Sequence, residues 1–120
     1  MPSRQWRLRI EDILEAISNI AQYTSGMDFE TFQADQKTVD AVVRNLEIIG
    51  EAARNVPPPV RAYHPAVPWE RMVAIRNVLI HEYSGVSVPI VWRTIKEDLP
   101  PLASMLREVL KGGQDDVAGV

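Results

Sequence analysis

The chain has 120 residues, 46% apolar and 24% charged, with a formal net charge of −3 and no cysteine. That length suits one domain with one ordinary core, and the composition excludes disorder, disulfide scaffolds and thiolate metal sites. A net negative chain does not hold nucleic acid by bulk electrostatics, yet residues 52–81 carry Arg54, Arg61, Arg71 and Arg76 against the single acid Glu70, so a local basic surface stays open.

The N-terminal run MPSRQWRLRIEDILEAI has Arg9, Glu11 and Asp12 inside its apolar region, which is expected of neither a signal peptide nor a membrane span. The lack of cysteine fits a reducing, cytoplasmic setting. From about Arg7 to Thr24, Ile10, Ile13, Leu14, Ile17, Ile20 and Ala21 recur at three- and four-residue steps, the pattern of a helix with one buried face. Gly26 is a natural stop beyond it. In the short connection GMDFETFQAD, Phe29 and Phe32 are placed to lie over the end of the core. Asp35 is suited to cap a second helix near 36–56, whose apolar positions include Val39, Val42, Leu46, Ile49 and Ala53.

The prolines of VPPPV end that helix, and the connection at 57–68 is expected to hold no more than a helical turn. A third helix is predicted from Pro68 or Trp69 to about Tyr83, closed by Ser84 and Gly85. Ser87 is a good N-cap for a fourth, which Pro100 and Pro101 should kink before LASMLREVL resumes the period. No repeat and no period-two run is present. The expectation is an all-α antiparallel four-helix bundle with a short extra turn and a proline-kinked last helix, a single domain over 1–111 with a tail at 112–120.

The third helix raises a chemical question. Laid out at roughly 100° per residue, Trp69, Met72, Val73, Leu79, Ile80 and Tyr83 form one apolar stripe, and Arg76 falls in its middle. A buried arginine needs a carboxylate, and Glu51 in the IGEA segment is the best placed partner by sequence. The other reading is that part of the stripe faces a cleft or a second subunit, where Arg76 meets an anion such as phosphate. His81 is five residues on, roughly 140° round an ideal helix, so the two meet only across a groove. Asn77, four residues before His81, is placed to hold the imidazole in one tautomer. His64 and His81, the only histidines, lack metal-ligand spacing. No phosphate loop or serine triad is visible, and no cofactor is called for.

Arg76-Asn77-x-x-x-His81-x-Tyr83, with EDILEAISNIAQYT, VVRNLEIIGEAARNV, PWERMVAIRNVLIHEY and VPIVWRTIKEDLPPL in that order, resembles the HepT-like proteins of the HEPN superfamily. The resemblance implies a homodimeric four-helix bundle acting as a metal-independent ribonuclease, commonly the toxin of a toxin–antitoxin pair. It makes Arg76 and His81 the catalytic residues, with Asn77 and Glu51 in support. It also implies a minimal nucleotidyltransferase antitoxin of the MntA type, which silences the toxin by adding AMP to Tyr83. The alternative is a non-catalytic HEPN dimer that serves as the binding partner of such a nucleotidyltransferase.

Overall fold

The computed structural model describes residues 2–79 and 86–112, with the backbone alone at 2–4, 76, 78 and 79. Helix α1 (Pro2–Tyr23) is followed by α2 (Phe29–Ala34), α3 (Gln36–Arg54), α4 (Pro58–Tyr63) and α5 (Trp69–Leu79). The last rod is α6 (Val88–Arg93), a π turn (Thr94–Asp98) and α7 (Leu99–Gly112). The described residues form an all-α helical bundle.

Helix α3 is the inner element, packed along α1 on one flank and α5 on the other. Its buried face is Val42, Leu46, Ile49 and Ala53 at helical spacing, all without measurable exposure. The early part of α1 shares a groove with the late part of α3, through Arg9 and Asp12 beside Glu51 and Asn55, so the two run antiparallel. Asn19 Nδ2 donates to Asn45 Oδ1 across this seam at 3.2 Å, and Asn45 Nδ2 donates to the Ala41 carbonyl at 2.9 Å. Helices α1 and α7 are also antiparallel: Arg7, near the start of one, donates to the Leu110 carbonyl near the end of the other at 2.6 Å.

Helix α1 begins five residues earlier than periodicity indicates. Trp6, 1% exposed, and the Arg7 contact with α7 tie this first turn to the bundle; neither is visible from local pattern. The connection before α3 is a true helix rather than a loop. Asp28 caps it, accepting from the Thr31 N–H at 2.8 Å and the Thr31 hydroxyl at 2.7 Å, and Phe32 fills the core end against Trp92 at 5.0 Å between centroids. Phe29 meets the same indole edge-on at 6.2 Å. Asp35 closes α2 and caps α3 through the Thr38 N–H, as anticipated.

The prolines act as boundaries and as helix starts. Asn55 ends α3, and Pro58 and Pro59 then occupy the first turn of α4, where their missing N–H groups would have no partner in any case. In the last rod the expected kink takes the form of the π turn: the Leu99 N–H reaches back to Thr94 O. Pro100 and Pro101 cannot donate to the preceding turn, and the wider register accommodates that loss. Ser87 caps α6 through the Ile90 N–H.

Hydrogen bonds from the Thr31 backbone and hydroxyl hold the Asp28 carboxyl below the usual value of 3.8, and those from Thr38 do the same at Asp35. With folded-state pKa values lowered, the capping contribution is complete above 3.8 and is lost as pH falls through the lowered values. An Asp28→Asn/Asp35→Asn variant keeps cap acceptors that do not titrate. Its urea midpoint should converge with that of the wild type as pH drops below 3.8; parallel curves down to acid would refute the linkage.

Candidate nucleic-acid interface around helix α5

Helix α5 is anchored at its first residue. Pro68 O accepts from the Met72 N–H at 3.1 Å, closing the first turn. The buried Trp69 indole donates from Nε1 to the His64 carbonyl at 2.9 Å, which ties α5 to the end of α4. The His64 ring in turn lies between Tyr63, edge-on at 5.2 Å, and Trp6 at 6.5 Å. The start of α5 is therefore fixed to α1 and α4 by one aromatic cluster.

Beyond this anchor the expected stripe holds where its side chains are described. Trp69 and Met72 are buried and Val73 is half-buried; Ile75, outside that stripe, is also half-buried against the core, and Glu70, Arg71 and Asn77 are exposed. Position 76 lies within α5, one turn after Met72 and Val73; its side chain is outside the described residues, and so are His81 and Tyr83. Asn77 is solvent-facing. Glu51 is exposed on α3, and Asn55 Nδ2 donates to its main-chain oxygen at 2.9 Å and to Oε2 at 3.4 Å. Glu51 lines the α1–α3 groove with Arg9 and Asp12 and belongs to the surface of the protomer.

Pattern reading missed a cleft of about 400 Å³ between α5 and the last rod. Met72 and Ile75 form its α5 wall; Ile90, Thr94 and Leu102 face them. Arg71, Arg93, Glu97 and Asp98 stand round it, with Arg71 Nη2 3.8 Å from Asp98 Oδ2. The run Arg93 to Asp98 carried the signal, as charges spaced along one helix, but only the packing of that rod on α5 brings them to Arg71. A second cleft of about 530 Å³ between α1 and α7 holds no residue of α5. Among the described residues no cluster of His, Asp and Glu is disposed to hold a metal ion, and no described helix is long and apolar enough to cross a membrane.

The described residues form an all-α HEPN-like bundle, and the sequence motif that ends at Tyr83 begins at position 76 of its α5. The family model described as ribonuclease HepT-like matches residues 13–109. A Thermococcus cleftensis protein named "Probable ribonuclease HepT" is 46% identical over 102 residues, covering 85% of this chain and 93% of its own length. A Methanocaldococcus jannaschii protein named "Putative RNase MJ0127" is 37% identical over 118 residues, 97% of this chain and 98% of that one. No solved structure matches the chain at a significant level. The chain belongs to the HepT-like ribonuclease family.

The anchor of α5 is directly testable. Trp69→Phe keeps an aromatic ring but leaves the His64 carbonyl without its indole donor. It should lower the stability to urea by about 1–3 kcal/mol while the helical circular-dichroism signal persists. An unchanged midpoint would show that the bond does not secure the start of α5.

Proposed function

We propose that this ribonuclease is a metal-independent endonuclease, the toxin of a toxin–antitoxin pair, acting as a homodimer with Arg76 and His81 in a groove between subunits. The observation that carries the reading is the motif Arg76-Asn77-x-x-x-His81-x-Tyr83, which lies inside the segment matched by the family model. RNA supplies its own nucleophile. One His81 accepts the proton of a 2′-hydroxyl as the O2′–P bond forms, and a second His81, from the other subunit, gives a proton to the 5′-oxygen as the P–O5′ bond breaks. Arg76 holds the charge that grows on the phosphorane oxygens. Two-fold symmetry brings both pairs to one groove. Asn77 orients the imidazole, and Glu51, exposed in the protomer, is available to an arginine across the subunit boundary.

Arg76→Ala and His81→Ala should each reduce cleavage of RNA in excess EDTA by about 10²–10³-fold or more, with the thermal melt of each variant close to that of the wild type. Full activity in either variant would remove that residue from the mechanism. An Arg76→Ala protein that melts early would instead favour a structural arginine in a non-catalytic binding partner.

The same reading assigns control to Tyr83. A minimal nucleotidyltransferase partner joins the tyrosine oxygen to the α-phosphorus of ATP, releasing pyrophosphate. The added phosphate and adenosine then obstruct the groove by charge and bulk. Intact mass after co-expression with that partner should rise by adenylate increments that map to Tyr83. An unmodified Tyr83 in a silenced complex would refute this route.

A further inference from the structure

We propose that the cleft between α5 and the last rod is a nucleobase subsite on the RNA-binding surface, selective for a base with an exocyclic amine. This rests on the ribonuclease reading and adds to it a substrate preference. The first support is position. Ile75 lines the cleft and directly precedes Arg76, so their Cα atoms are about 3.8 Å apart. The cleft therefore borders the helix on which the motif begins. The second support is size: about 400 Å³ lies within the usual range for small-ligand sites and accepts one nucleotide.

The third support is chemistry. Met72, Ile75, Ile90 and Leu102 offer thioether and aliphatic surface to the flat faces of a base. The carboxylates of Glu97 and Asp98 accept hydrogen bonds and donate none, so they match the amino group of adenine or cytosine. Uracil places a carbonyl oxygen at the equivalent position and would meet a carboxylate unfavourably. Arg71 and Arg93 supply cations to the flanking phosphates. The Arg71–Asp98 contact does not oppose this role: it spans 3.8 Å between side chains 77% and 49% exposed, a pair of small energetic weight. Phosphate can replace Asp98 at Arg71, which leaves the carboxylate to the base. Arginines and carboxylates around one small cleft suit phosphate and an amino base better than the apolar face of a docking helix.

The test uses intact protein and 2′-O-methyl oligonucleotides, which lack the nucleophile and are not cut. Affinities for A, C and U homopolymers of equal length are measured in EDTA, beside cleavage of unmodified RNA. A and C should bind about ten-fold more tightly than U. Glu97→Gln/Asp98→Asn should abolish that preference, and Arg93→Ala should weaken all three equally and lower the salt slope by about one. The inference is overturned if wild type cleaves RNA yet the carboxamide variant keeps the wild-type base preference. It is also overturned if Arg93→Ala leaves RNA affinity intact and instead changes the oligomeric state, which would make the cleft a protein interface. Neither cleavage nor binding by wild type would overturn the ribonuclease reading and this subsite together.

Discussion

The structure depends on the burial of α3 between α1 and α5. Val42, Leu46, Ile49 and Ala53 are removed from water along that helix, and each full burial of this kind stabilises by roughly 1.5–3 kcal/mol for the larger side chains. Apolar contact is non-directional and by itself would let α1 slide along α3. The Asn19–Asn45 bond lies within this seam, and Asn45 is also held by the Ala41 carbonyl. A shifted register would break the Asn19–Asn45 bond and leave the buried Asn45 Oδ1 without that donor. Burial supplies the energy and the amide pair selects the alignment.

That arrangement places α5, and with it the backbone of position 76. Helix α5 has one flank committed to α3 and its first residue tied to α4 through the Trp69 indole. Its other flank meets the last rod less closely, and the remaining space is the cleft beside Ile75. The π turn belongs to the same picture. Two consecutive prolines prevent a regular α-helical register, and the widened turn carries Thr94, Glu97 and Asp98 on the wall facing α5. A local backbone requirement thereby sets the polar rim of a surface next to the motif. The acidic net charge of the chain is no obstacle to a ribonuclease, because phosphate contacts can be made locally by a few cationic side chains.

Much of this was legible residue by residue. The core periodicity of α1 and α3, the caps Asp35 and Ser87 and the burial of Phe32 follow from local spacing and side-chain chemistry. The first turn of α1 was not legible, because Trp6 and Arg7 are ordered by α4 and α7, which lie far along the chain. Helix α2 is too short for periodicity to register, although Asp28 followed three residues later by Thr31 was its signature. Glu51 lines the α1–α3 groove and is exposed, a placement that sequence order alone did not give.

By itself the sequence determined the helical class, most helix boundaries and the identity of the motif residues, since these rest on local periodicity, capping and residue chemistry. Only the tertiary structure decided which flank of α5 is covered, where Glu51 lies and how Arg71 comes to face Arg93, Glu97 and Asp98. Those outcomes depend on how helices distant in sequence share one buried volume, and local spacing carries no information about that packing.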